Sequence, residues 1–135
     1  FQALIVPGGF GVARNLCNFA AAGAGMEVRK DVSDLLLWFH EAKRPVGLIC
    51  IAPVLAAKVL GSFNPLLTVG NCAETESILT SWGASPSKCS PGDFLSDKEN
   101  LLFSTPAYMH ADSGLSDIRK GIRLMVRDLR KYCGN

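Results

Sequence analysis

Short apolar runs alternate along the chain with longer segments whose apolar residues recur at helical spacing. Residues 3–6 form a continuous apolar run that ends at Pro7-Gly8-Gly9, which predicts a strand buried on both faces. Residues 46–50 and 66–69 predict two more strands, and residues 101–104 predict another. Strands that alternate with helices predict a mostly parallel sheet covered on both faces, and therefore the α/β class.

The segments between these strands have the apolar spacing and the end signals of helices. Helices are predicted at residues 12–19, 31–44, 53–60, 73–82 and 115–132, and a short strand with a charged turn at residues 93–100. Asp31 is expected to cap the second helix, and the third is expected to end at Gly61, where a left-handed residue would be tolerated. The last helix is expected to turn one apolar stripe towards the core, formed by Leu115, Ile118, Ile122, Met125 and Leu129.

Composition and charge narrow the class of protein. The chain has 135 residues, of which 48% are hydrophobic and 19% charged, so it is expected to fold as one domain or as part of one. Its longest apolar stretch is interrupted by Pro53 and Lys58 and is shorter than the roughly 20 residues that cross a bilayer. A net charge of +2 predicts neither a nucleic-acid partner nor a membrane partner.

The cysteines point to a reducing compartment. There are five of them, and no two form a C-x-x-C pair, which argues against a disulfide framework and against a zinc site. No other cluster of residues suggests a metal. Because the chain starts at Phe1 without a signal-like or transit-like stretch, we interpret it as a mature piece or a fragment.

Cys50 is the first candidate for chemistry, because a buried strand ends on it and a helix begins almost at once. A side chain at such a strand-to-helix turn projects above the carboxyl edge of the sheet, as in a nucleophile elbow. The N–H groups at the start of the helix favour a thiolate, and Pro53 suits the first helical turn. The alternative interpretation is a buried thiol that packs as a small hydrophobic group.

A second candidate is the glycine-rich loop that follows the first strand. Its spacing is not that of a nucleotide phosphate loop. If it shares a sheet edge with Cys50, then Gly8 and Gly9 bring the backbone close to a ligand, and the N–H groups of Gly9 and Ile51 bracket an oxyanion. Alternatively, the glycines only make a tight turn. Asn71 follows another strand end and could hydrogen-bond a ligand there.

Two histidines are available as a base for a cysteine nucleophile. His40 lies at the end of an amphipathic helix and is interpreted as a surface or packing residue. His110 follows the strand and turn of residues 101–109, so it could reach the edge of the sheet that carries Cys50. The alternative for His110 is an ordinary loop histidine.

Several separated motifs resemble one known family in the right order. Residues 6–11, 13–16, 18–20, 50–60 and 105–109 are similar to the ElbB/ES-type branch of the PfpI and Parkinson-disease protein deglycase superfamily, also described as glutamine amidotransferase-like class 1 domains. The resemblance runs from Phe1 to about Leu129. It implies a flavodoxin-like three-layer sandwich, with residues 1–135 forming a single domain that lacks its N-terminal strands.

The same resemblance implies a site and a reaction. Cys50 matches the elbow cysteine, and Gly9 and Ile51 match the backbone donors. Bacterial members are described as glyoxalases that convert glyoxal to glycolate without a cofactor, and vertebrate members are assigned to mitochondria. A homo-oligomer and a mitochondrial location are therefore expected, or a cytoplasmic location if the source is bacterial.

Three departures from the family pattern affect the site. The glutamate that related folds place beside the cysteine comes from an early strand that is absent here. A histidine-containing insertion of the vertebrate members is also absent after residue 70, and the family motif that ends at Met109 does not require His110.

The sequence thus favours a cofactor-independent, glyoxalase-like enzyme for a small-molecule aldehyde, with the proton-transfer group unassigned. Glutaminase chemistry is less favoured, because it needs a Cys-His-Glu arrangement. The alternative is a non-enzymatic protein of the same fold, a redox sensor or a structural oligomer.

Overall fold

The structure is a computed structural model that describes residues 1–134 of the chain. Its strands are β1 (Leu4–Val6), β2 (Val46–Ile49), β3 (Leu66–Leu67), β4 (Ser85–Pro86), β5 (Leu95–Asp97) and β6 (Leu102–Thr105). Its α-helices are α1 (Phe19–Ala22), α2 (Lys30–Glu41), α3 (Pro53–Leu60), α4 (Ala73–Ser81) and α5 (Leu115–Leu129). A π-helical turn covers Val12–Leu16, and short 3₁₀ turns cover Gly23–Gly25, Gly61–Phe63, Ala107–Met109 and Arg130–Tyr132.

Four strands form the main sheet in the order β1-β2-β6-β5. The first three are parallel, and β5 runs antiparallel at one edge. A separate pair, β3 and β4, is also parallel. This arrangement confirms the predicted α/β class with a mostly parallel sheet. It also brings the carboxyl ends of β1, β2 and β6 to the same edge, where an open α/β sheet binds its ligands.

Both faces of the central strands are buried. Side chains alternate across a strand, so Val46 and Leu48 of β2 join a cluster with helices α2, α3 and α4, whereas Ile49 joins a second cluster with α5. The same division separates Leu102 from Phe103 in β6. Every residue of β2 and β6 is buried. The prediction that the first strand is buried on both faces is wrong, because β1 lies at a sheet edge with β2 as its neighbour and Ile5 is 37% exposed.

The predicted helix at residues 12–19 is wrong in its second half. The π-helical turn ends at Leu16, and Cys17 is extended and forms an antiparallel bridge with Val28. The backbone N–H of Arg29 donates to the Leu16 carbonyl, and that of Asn18 donates to the Glu27 carbonyl. These pairings with a later segment take the backbone groups that a continuing helix would use.

Two residues at predicted helix ends differ from expectation, although the third helix ends where it was predicted to end. The N-cap residue of α2 is Arg29, and Asp31 lies in the first turn. Its carboxylate accepts hydrogen bonds from the Arg29 guanidinium at 2.7 Å and from the Val32 backbone N–H at 2.9 Å. Gly61 is right-handed, at φ −54°, and the left-handed residue is Asn64. The glycine serves close packing, because a Cβ on it would lie 1.9 Å from the Trp82 carbonyl oxygen.

Helix α5 follows its predicted stripe except at its first residue. Ile118, Met125 and Leu129 are buried, and Ile122 packs against the same cluster. Leu115 is 73% exposed, because it begins the helix and lies before the part that contacts the sheet. None of the helices within residues 1–134 has the length and the apolar character to span a bilayer.

Replacing Gly61 with alanine is expected to lower the free energy of unfolding by about 1–3 kcal/mol, because the new methyl group has to push the Trp82 carbonyl away. Urea denaturation followed by circular dichroism measures this change. Gly25→Ala is the control, since no atom lies within 4 Å of the position of its Cβ. Equal stabilities of the two variants would contradict the packing argument.

Candidate functional site

Cys50 lies at a sharp turn between β2 and α3. Its φ angle is +62°, in the left-handed region that residues other than glycine rarely adopt. Its backbone N–H donates to the Thr105 carbonyl at 3.0 Å, which extends the pairing of β2 with β6 by one residue. Such a conformation costs about 1–3 kcal/mol and persists only where the surrounding structure holds it.

Gly8 brings the loop after β1 against this turn. A Cβ on Gly8 would lie 2.3 Å from the Ile49 carbonyl oxygen and 2.9 Å from the Cys50 Cβ, so no other residue fits without displacement. Its φ angle of +85° also favours glycine, as does the +88° of Gly9. The two candidate loops of the sequence therefore meet at one edge of the sheet, as expected.

Two backbone N–H groups at this edge are free to donate. The carbonyl of Gly9 accepts from Val12, and that of Ile51 accepts from Val54, each at 3.1 Å. Within residues 1–134, no hydrogen-bond acceptor is found for the N–H of Gly9 or of Ile51. Donors fixed in this way can stabilise negative charge that develops on a bound oxygen.

A cavity of about 870 Å³ opens over Cys50. The glycine loop and Ile51 form part of its wall together with Cys50, so Gly8, Gly9, Cys50 and Ile51 share one site. Most of the remaining wall is apolar and comes from four parts of the chain. Its apolar side chains include Phe10, Ala13, Phe19, Ala20, Ile78, Met109, Ile118 and Ile122.

The cavity also contains residues that sequence reasoning missed. Glu74, in the first turn of α4, brings a carboxylate to the wall, and Thr75 and Tyr108 also line it. The sequence signal for Glu74 was its position: α4 follows β3 in the strand–helix alternation, and its first turn is acidic. The helix dipole favours an acidic residue in the first turn of any helix. The acidic first turn therefore did not by itself identify Glu74 as a cavity residue.

Asn71 and His110 lie in a different place from Cys50. Both line a smaller cavity of about 270 Å³ with Lys88, Cys89 and Ser90. Nε2 of His110 lies 2.7 Å from the Cys89 carbonyl oxygen, so this nitrogen carries the proton and donates it. The structure therefore does not bring Asn71 or His110 into the cavity that contains Cys50.

The other cysteines differ from Cys50 in their surroundings. Burial raises the pKa of the Cys17 thiol, although a backbone hydrogen bond from Phe19 acts in the opposite direction. Burial, together with the negative charge of Asp93, raises the pKa of Cys89 to about 11. Both thiols are therefore neutral near pH 7 and poor nucleophiles. Within residues 1–134, no group of three or more potential ligands could hold a metal ion.

Curated proteins of known sequence align with nearly the whole chain. It is 39% identical to the human mitochondrial glutamine amidotransferase-like class 1 domain-containing protein 3, over 98% of this chain and 52% of that protein. It is 38% identical to the mitochondrial ES1 protein homolog of Rattus norvegicus, with the same coverage, and 31% identical to the mitochondrial ES1 protein of Danio rerio. The chain spans about half the length of these relatives. No family model matches it.

Solved structures share the fold. An isoprenoid biosynthesis protein with an amidotransferase-like domain from Ehrlichia chaffeensis superposes with a TM-score of 0.86 at 26% identity, over 99% of this chain and 60% of that one. A Francisella tularensis rapid encystment protein gives a TM-score of 0.65 at 15% identity, over 100% and 59% of the two chains. The first match confirms the predicted flavodoxin-like fold. The three curated relatives are named as mitochondrial proteins, in agreement with the location that the resemblance implied.

Asp93→Asn is expected to lower the pKa of Cys89 towards its ordinary value, since it removes a negative charge that opposes the thiolate. The asparagine oxygen can still accept the Phe94 N–H that Asp93 now accepts at 2.8 Å. At pH 9, iodoacetamide should therefore modify Cys89 faster in the variant, as measured by mass spectrometry of the modified peptide. Asp112→Asn, in an exposed loop, is the control. An unchanged rate would contradict the role of the Asp93 charge.

Proposed function

Because the chain is a homologue, over about half of their length, of the ES1 and glutamine amidotransferase-like class 1 proteins, we propose that it is a cofactor-independent, glyoxalase-like enzyme. Its substrates are small dicarbonyls such as glyoxal, and its products are the corresponding 2-hydroxy acids. The arrangement of Cys50, Gly9 and Ile51 in one cavity supports this proposal. A cysteine in left-handed conformation shares a cavity with Gly9 and Ile51, whose backbone N–H groups have no acceptor among residues 1–134.

The reaction begins with Cys50 as the nucleophile of an elbow. The thiolate sulfur adds to an aldehyde carbon, and the carbonyl electron pair becomes an oxyanion that accepts hydrogen bonds from the N–H groups of Gly9 and Ile51. Protonation of this oxygen gives a hemithioacetal. Cys50, Gly9 and Ile51 thus supply the nucleophile and the stabilisation of charge for the first step.

The second step is an internal redox reaction and needs no external oxidant. A base removes the proton from the carbon bonded to sulfur, which gives an enediol, and the neighbouring carbon is then protonated. The first carbon is oxidised to a thioester while the second is reduced to an alcohol. Water hydrolyses the thioester, releases the hydroxy acid and restores the thiol, so that glyoxal and one water yield glycolic acid.

Glu74 is the group we assign to this proton transfer. It is the carboxylate among the residues that line the cavity with Cys50, and a carboxylate can take a proton from one carbon and return it to the next. The domain as a whole is proposed to work as a homo-oligomer, as the family resemblance implies. A redox sensor or a structural oligomer is the competing function, since Cys50 is partly exposed and could be oxidised.

Cys50→Ala is expected to reduce the production of glycolate from glyoxal to the uncatalysed rate, because the variant cannot form the hemithioacetal. Cys133→Ala, at the far end of the chain, should keep the wild-type rate. Enzymatic or chromatographic detection of glycolate measures both, and circular dichroism verifies that both fold.

A redox sensor gives the opposite pattern. It would show no turnover in the wild-type protein and a gain in mass at Cys50 after treatment with peroxide. Equal glycolate production by wild type and Cys50→Ala would also contradict the proposed enzyme.

Glu74→Gln is expected to lower kcat for glyoxal by about 10²–10⁴-fold, since an amide cannot act as the base. The rate at which iodoacetamide modifies Cys50 should not fall, because the nucleophile and its donors are intact and no negative charge is added. Steady-state kinetics and peptide mass spectrometry provide the two measurements.

Glu41→Gln, at the end of α2, is the control for a lost carboxylate outside the cavity. If Glu74→Gln retained full kcat, another group would carry the proton. If it lost the reactivity of Cys50 as well, the effect would be structural.

A further inference from the structure

The cavity over Cys50 is much larger than glyoxal requires. Its volume of about 870 Å³ lies near the upper end of the roughly 300–1,000 Å³ of drug-sized ligand sites. Glyoxal has only four non-hydrogen atoms, so it would leave most of the cavity unfilled.

The walls of this space are apolar away from the reacting end. Ile78 comes from α4, Ile118 and Ile122 come from α5, and Phe19 comes from α1. Water against such side chains is less favourable than a hydrocarbon group, because burial of apolar surface is the main source of binding energy in a site of this kind. The walls therefore favour a ligand with an apolar body.

The polar groups of the cavity are of a different kind. The thiol of Cys50, the N–H groups of Gly9 and Ile51, and the carboxylate of Glu74 supply the hydrogen-bonding and reactive chemistry. A matching ligand needs one electrophilic, oxygen-bearing end and one hydrocarbon end. A long-chain or aryl 2-oxoaldehyde has both.

From this separation of apolar walls and a polar, reactive end, we propose that the preferred substrates are 2-oxoaldehydes with a hydrocarbon substituent of several carbons, and not glyoxal itself. The aldehyde carbon bonds to the sulfur of Cys50, and the substituent lies against Ile78, Ile118 and Ile122. This inference rests on the proposed function, and it adds the class of substrate. The chemical steps are those already given, with the substituent on the carbon that is reduced.

A homologous series tests this preference without a change of reactive group. The values of kcat/KM are measured for methylglyoxal, 2-oxobutanal, 2-oxopentanal and 2-oxohexanal. Each added methylene is expected to raise kcat/KM roughly fourfold, as the burial of one methylene in an apolar site predicts. Values that stay level or fall along the series, with turnover that still depends on Cys50, overturn the inference and leave the proposed function intact.

Substitution in the wall gives a second readout. Ile78→Thr replaces apolar surface with a hydroxyl, and the increase of kcat/KM per methylene should become smaller in this variant. Leu35→Thr, on α2 and outside the cavity lining, should keep the wild-type increase. An identical dependence on chain length in both variants argues against contact between the substituent and Ile78.

Labelling of Cys50 tests the apolar walls independently of turnover. The rates of modification by N-butylmaleimide and N-methylmaleimide are compared at Cys50, and their ratio is divided by the same ratio for glutathione. A quotient of about tenfold or more supports an apolar site at the sulfur. A quotient near one overturns the proposal of an apolar site at the sulfur. A large quotient without turnover of any 2-oxoaldehyde overturns the proposed function, while the cavity stays assigned to an apolar ligand.

Discussion

The site depends on one strained turn, in which Cys50 has a positive φ angle between β2 and α3. Three neighbours hold the turn. The Thr105 carbonyl accepts the Cys50 N–H, Gly8 lies against the Ile49 carbonyl, and α3 begins at Pro53 with six buried residues. Each of these contacts is possible only because β1, β2 and β6 are parallel and end at the same edge. The strain of Cys50 is therefore offset by the packing of the whole sheet.

The cavity follows from the same arrangement. The loop after β1 and the turn after β2 supply the nucleophile and the backbone donors, while α4 and α5 approach from the two sides of the sheet. Helices that cover opposite faces present their apolar residues to the core, and some of these residues also line the cavity. Ile78 and Ile122 are such residues, and both are only partly buried. A reactive polar end and apolar walls are thus consequences of one architecture.

Patterns that are local in the sequence were predicted well. The helix from Pro53 to Leu60 has both of its predicted ends, because proline at the start and an uninterrupted apolar composition are properties of the segment itself. The position of Cys50 at a strand-to-helix turn was predicted for the same reason. The glycines at 8 and 9 were also recognised, although the sequence left open whether they only made a turn. Buried apolar runs and the turn residues that end them were sufficient to indicate these features.

Contacts between distant segments were decided by the tertiary structure. Cys17 leaves its predicted helix because residues 16–18 pair with residues 27–29, and Gly61 is required by Trp82, which is more than twenty residues later. His110 and Asn71 follow strand ends, as expected, yet they line a separate cavity, whereas Glu74 reaches the one with Cys50. The sequence determined the strands other than β4, most of the helices and the nucleophile candidate through periodicity and turn residues. Only the packing of helices on the sheet decided which side chains share a cavity, because that depends on distances between residues with no local relation.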